Sequence, residues 1–216
     1  EVGAQSREEV LDMGIEVGNA ISLDYPVLSL GKYKIAGKAL DDRVFVFILE
    51  EIIKLLDDRD DIPEIYAVFT TQEEVGARGA IVAATNIKPD IAIALDMSLA
   101  TDIPGVPESE HVNKLGEGTS IKVMDKLGTG IGGLISNREV VSQMKRVAKE
   151  NNIPYGIEAY TAGATDASFM QTLNGGIKAG GIQTPMRYVH SYEVVDVRDV
   201  VYTVELLYRY ILSLAN

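Results

Sequence analysis

From Ile35 onward the chain alternates apolar stretches about five residues long, bounded by turn signals, with longer stretches at helical spacing. A chain with that rhythm can bury both kinds of element only by laying helices on a sheet, so it is confined to the α/β class. The pattern predicts a helix from about Asp42 to Leu56, a strand at IYAVFTT, a helix near GARGAIVAATN and a strand at IAIALD. The first of these helices is apolar nearly all round, through Val44, Phe45, Phe47, Ile48, Leu49, Ile52, Ile53 and Leu56. It is expected between layers, with its N-terminus opening onto the interior. Val140, Val141, Met144, Val147 and Ala148 share one face of a further helix, as do Val200, Val204, Leu207, Ile211 and Leu214 in the last. Between them, IEAY and RYVH read as strands, and the Pro-, Gly- and acid-rich SLATDIPGVPESEHVNKLGEGTS reads as a surface loop near a site.

Residues 1–34 stand outside the rhythm. They predict a short helix at SREEVLDMG, capped by Ser6 with Glu9 completing a capping box, and then short strands around IEVGNAISLDYPV. Such a segment suits the tail of a β-rich accessory domain. The opening EVGAQSREEV reads as the middle of a domain, so an N-terminal part is expected ahead of it.

Apolar residues at 46% and charged residues at 24% of 216 are the balance of a packed fold. A net charge of −12 argues against a nucleic-acid surface, which needs clustered cations, and against an anionic membrane. With no cysteine, any metal must be held by oxygen and imidazole. There is neither a run of 18 apolar residues nor a basic-then-apolar leader pattern, and a cytoplasmic enzyme is expected.

Four segments place acids or imidazole at expected element ends. KALDDR sets Asp41 and Asp42 at the mouth of the buried helix, where a helix cap competes with metal binding. TTQEEVGARGA runs a strand into Glu73 and Glu74 before a glycine turn. A charged first helical turn would explain the pair, but successive side chains diverge, and one can meet a metal while the other faces water. IAIALDMS ends an apolar strand in Asp96, where α/β sheets gather ligands. MRYVHSYE brings His190 to the end of another. His111, in the acid-rich loop, is expected to be solvent-exposed; Thr165 and Asp166 of YTAGATDAS read as a helix cap or as a close approach to substrate. KLGTGIGGL is Gly-rich but fits no phosphate-binding pattern.

In the order KALDDR, TTQEEVGARGA, ALDMS…DIPG, KLGEG, ATDAS and RYVHS, the sequence resembles the TET-type metallo-aminopeptidases, the glutamyl and deblocking aminopeptidases whose members are often labelled endoglucanases. The resemblance implies a mixed, mostly parallel sheet flanked by helices, in a zinc-peptidase-like fold. Residues 1–34 would be the remnant of an inserted β-barrel and residues 35–216 the catalytic domain. It implies two divalent cations, zinc or cobalt, with Asp41 bridging, Glu74 and His190 completing one metal's ligands and Asp96 on the other. Glu73 would be the general base, taking a proton from the water between the metals. Peptide substrates and a homo-oligomer, a cytoplasmic dodecamer, are implied as well. The family's remaining ligand, a His in an HxD motif ahead of the insert, has no counterpart in these 216 residues. Rival readings are a carboxypeptidase or deacylase on the same scaffold, a catalytically incomplete assembly subunit, and a glycosidase using two carboxylates without metal.

Overall fold

The structure, a computed structural model, describes residues 1–126, 133–161 and 163–215. Most of KLGTGIGGL therefore lies outside the described residues. Seven strands form one sheet: β1 (Leu28–Leu30), β2 (Lys34–Gly37), β3 (Ile91–Leu99), β4 (Thr119–Met124), β5 (Tyr155–Ala159), β6 (Lys178–Arg187) and β7 (Glu193–Asp196). Their order is β1-β2-β7-β6-β4-β5, with β3 paired to β6. The helices are α1 (Arg7–Asp12), α2 (Leu40–Leu56), α3 (Arg78–Ile87), α4 (Arg138–Glu150), α5 (Asp166–Met170) and α6 (Val197–Leu212).

The mixed sheet and flanking helices agree with expectation. The two longest ladders, β3–β6 and β4–β5, are parallel, while the shorter β1–β2, β2–β7, β6–β7 and β4–β6 are antiparallel. Where β6 turns tightly into β7 and β1 into β2, the short connection imposes antiparallel pairing.

Side-chain alternation along β3 assigns the two faces. Ile91, Ile93, Leu95 and Met97 pack against the main core, which α2, α4 and α6 cover with residues such as Phe45, Ile48, Met144, Leu206 and Tyr210. Ala92 and Ala94 face the other way, toward small clusters formed with α3 and the segment carrying α5. Asp96 has the same parity, so the sheet presents it on the α3/α5 side.

Three other expectations are revised. IYAVFTT contains no assigned strand; Ile65, Tyr66, Val68 and Phe69 are exposed, and residues 63–70 have no ladder partner. The stretch around IEVGNAISLDYPV is likewise without strands, and the first strand begins at Leu28. Strand-forming sequence makes a strand only where a neighbour supplies the other half of the ladder. Helix α2 is also less enclosed than its composition suggests: Val44, Phe45, Ile48, Ile52 and Leu56 are buried, whereas Phe47 and Ile53 face outward. The cap of α1 follows the prediction at Ser6, which accepts the Glu9 N–H, although the Glu9 carboxylate accepts from Gln5 rather than from Ser6.

Candidate metal centre

The chain leaves β2, turns through Ala39 in the left-handed region (φ 56°) and enters α2. Asp41 and Asp42, joined by a cis peptide, are not helical in φ/ψ, so the regular helix begins at Arg43. No side-chain cap hydrogen bond forms at this helix start. The cap reading of the Asp pair thereby loses its support, and both carboxylates are left for something else.

Glu73 and Glu74 lie in a single 3-10 turn, Glu73–Val75, between Gln72 and Gly76, both at positive φ (58° and 113°). Helix α3 starts only at Arg78, after Ala77 at φ 52°. The two acids are therefore not a charged first turn of that helix. Gly79 keeps this turn close to the extended segment, since a Cβ there would meet the Thr71 amide nitrogen at 2.5 Å.

His190 does not close a strand. Strand β6 ends at Arg187, and His190 sits in the turn to β7 at φ 62°. Asp96 is likewise inside β3, three residues short of its end at Leu99, with one carboxylate oxygen on the following Met97 N–H at 2.7 Å. His111 is half-buried rather than exposed, its Nε2 3.2 Å from the Val106 carbonyl and its Nδ1 enclosed without a partner.

These segments, distant in sequence, converge. His190 Nε2 is 3.2 Å from Glu74 Oε1 and 3.5 Å from Asp41 Oδ2. Donors about 2.0–2.2 Å from a tetrahedral zinc stand roughly 3.3–3.6 Å from one another, the range of the two His190 distances, and one donor atom from each of the three residues lies within 4.8 Å of the others. A second group, Asp41, Asp42 and Asp96, also places one oxygen of each residue within 4.8 Å of the others. Asp41 belongs to both groups, the position a bridging carboxylate needs. The side chain of Asp41 is only 8% exposed against 64% for His190 and 65% for Glu74, so the centre is floored by Asp41 and open on the His190 side.

The electrostatics fit the same purpose. Burial first, then Glu193 and Glu74, push the Asp41 carboxyl up to about 6, with His190 opposing. Glu73 is pushed up to about 7, chiefly by burial and then by Asp166, Glu74 and Asp41. Asp42 and Asp96 move in the same direction, driven by desolvation and by their acidic neighbours. Carboxylates crowded this closely resist ionising together, and a cation among them removes that resistance.

Asp166 adjoins the group electrostatically, being among the charges that raise Glu73. One of its oxygens accepts the Thr70 hydroxyl at 2.8 Å and the other is enclosed without a partner. Thr165 caps α5 in a reciprocal box with Ser168, as its sequence suggests. Beneath α5 a buried polar layer holds the helix down. Asp125 accepts from Ser168 Oγ at 2.8 Å and from the Leu134 N–H at 2.7 Å. Lys122 reaches Glu158 at 3.0 Å and Asp125 at 3.9 Å. Asp42, weighed with Asp41 in KALDDR, joins the second acidic group. One participant escapes a reading of motifs: Glu193 receives backbone N–H groups of both Asp41 and His190, and nothing in SYEVVD marks it.

Comparison with known proteins places the fold. An aminopeptidase from the archaeon Desulfurococcus kamchatkensis superposes with a TM-score of 0.90 at 40% identity, covering 98% of this chain and 58% of its own. The TET1 peptidase of Pyrococcus horikoshii, which can assemble into a tetrahedron or a large octahedral shell, gives 0.76 at 28% identity over 98% of this chain and 59% of its own. The lysyl aminopeptidase of Pyrococcus furiosus is 34% identical over 95% of this chain and 56% of its own length. The chain spans between 51% and 59% of the length of the curated relatives it matches. The pattern of the M42 glutamyl aminopeptidases matches residues 1–206, and the chain belongs to that family.

Proposed function

We propose that this chain carries the catalytic centre of an aminopeptidase that uses two divalent cations to remove N-terminal residues from peptides. The observation that carries the reading is the shared carboxylate: Asp41 lies in both ligand groups, with Glu73 beside them. Asp41, Glu74 and His190 would hold one cation, and Asp41 with Asp96 the other. Oxygen and imidazole donors suit zinc or cobalt. When bound, such ions acidify a shared water and polarise the peptide carbonyl. Glu73, held with a carboxyl near neutrality, takes a proton from the attacking water and can return it to the leaving amine. Its neighbour Glu74 points to the His190 side, which separates base from ligand within one turn.

The same proposal assigns residues 1–34 to the end of an inserted domain and residues 35–216 to the catalytic domain. The family's HxD motif has no counterpart among these 216 residues. A homo-oligomer, a tetrahedral dodecamer, is proposed by analogy with the TET1 dodecamer and with the tetrahedron the P. horikoshii peptidase can form, and a cytoplasmic place for it on the family resemblance alone. Among the described residues no helix is long and apolar enough to cross a membrane. The test is direct. Protein refilled with zinc is given an unblocked peptide, and free first residue is expected, lost on chelation. Release of the last residue would make it a carboxypeptidase, and activity that survives chelation would remove the metal from the reaction.

A further inference from the structure

Glu193 opens β7 and is buried, 2% exposed. Among the described residues it has no ion pair. A carboxylate in that position needs donors, and it has two: Oε2 accepts the Asp41 N–H at 2.8 Å and Oε1 accepts the His190 N–H at 3.0 Å. These residues are distant in the chain, and the Glu193 carboxylate joins their backbones. Both are proposed to bind the same cation.

The topology explains why Glu193 can reach both. Glu193 is paired with Gly37 in the antiparallel β2–β7 ladder, and the chain then runs from Gly37 through Ala39 to Asp41. On the other side the chain enters β7 directly from the turn that holds His190. The left-handed residues Ala39 and His190 bend the two approaches back over the start of β7. One side chain thus sets the backbone spacing on which the 3.5 Å approach of Asp41 Oδ2 to His190 Nε2 depends. A glutamine could not replace it, because its single oxygen would satisfy one N–H while its NH2 faced the other, donor against donor.

We propose that Glu193 is a positioning residue of the metal centre, clamping the backbones of Asp41 and His190 at the separation a shared cation requires. The inference rests on the two-cation reading above, and the experiment separates their failures. Zinc affinity of the full chain is measured by competition with a chromophoric chelator, for wild type and Glu193→Gln. Groups that orient metal ligands contribute about 10–100-fold in affinity, and a loss in that range is expected. Glu193→Gln leaves one buried N–H facing an amide NH2, so the thermal midpoint of the metal-free variant should fall and affinity is read on the folded fraction. A purely structural role would give the same fall with unchanged affinity in the folded fraction. If wild type binds no zinc, the metal reading fails. If wild type binds it and folded Glu193→Gln binds within threefold, the clamp is wrong. Should the variant not fold, wild type alone decides: the Asp41 and His190 amides should exchange slowly in metal-free protein and shift together on zinc addition. Rapid exchange at either would overturn the proposal.

Discussion

Lys122 offers a test of how the floor of the centre is held. Its side chain is 5% exposed and faces Glu158, 3% exposed, at 3.0 Å and Asp125, fully buried, at 3.9 Å. Lys122→Met keeps the length and removes the charge. Asp125 retains the Ser168 hydroxyl and the Leu134 amide, so the burden falls on Glu158, whose remaining contact is a weak one from Asn113 at 3.5 Å. Removing one partner of a buried pair typically costs about 3–5 kcal/mol, because the other charge is left in a medium that solvates it poorly. For a domain of this size, each kcal/mol moves the midpoint by about 2–4 °C, so a fall of roughly 6–20 °C is expected. By contrast, the exposed Lys54, which also has two acidic neighbours, should contribute little. The measurement is urea and thermal unfolding of chelated protein at pH 7. Adding Glu158→Gln to Lys122→Met should restore most of the loss, since the stranded charge is then gone. A single-variant loss below about 1 kcal/mol, or a double variant no better than the single, would refute the argument that desolvation of Glu158 dominates.

Glu73→Gln should abolish turnover with metal content nearly intact, whereas Glu74→Gln should lower metal occupancy; equal metal loss in both would mean that the roles are wrongly divided. The pH dependence of the metal-free fold has a definite sign. Asp41 at about 6 and Glu73 at about 7 keep protons that the unfolded chain releases near pH 4, so between about pH 4 and 7 the native state binds more protons. Stability of the chelated protein should therefore fall as pH rises through that window, and zinc should reverse the slope; urea midpoints across the window check both. Gly118→Ala should destabilise by about 1–3 kcal/mol or prevent folding, as its Cβ would lie 2.3 Å from the Pro154 carbonyl oxygen at a φ of +128°, and recovery of soluble protein with an unchanged midpoint would contradict this.

The segments proposed to supply ligands were legible in the sequence because each is short and local: KALDDR, QEEVG, ALDMS and VHS keep their chemistry whatever surrounds them. Helical periodicity was equally local, and α4 and α6 lie where it put them. What needed a third dimension was not legible. IYAVFTT has the composition of a strand, yet pairing is a property of two segments, and residues 63–70 lack a ladder partner. His190 resembled a strand end because it follows Met186, Tyr188 and Val189, but β6 ends at Arg187 and the tight return to β7 puts residues 188–192 in a turn. Nothing in SYEVVD singled out Glu193, whose proposed role depends on an amide 152 residues away.

The left-handed residues around the centre have a consequence for how such sequences can vary. Ala39, Gln72, Ala77 and His190 all have φ between 52° and 62°, a region that costs an L-residue roughly 1–2 kcal/mol and a β-branched one more. Three of the four are not among the proposed ligands, so selection at those sites acts on backbone shape rather than on chemistry. Lineages that keep this centre should admit glycine, asparagine or a small unbranched side chain at 39, 72 and 77 while excluding valine, isoleucine and threonine. The imprint of the metal on the gene would then extend to codons whose products never meet an ion.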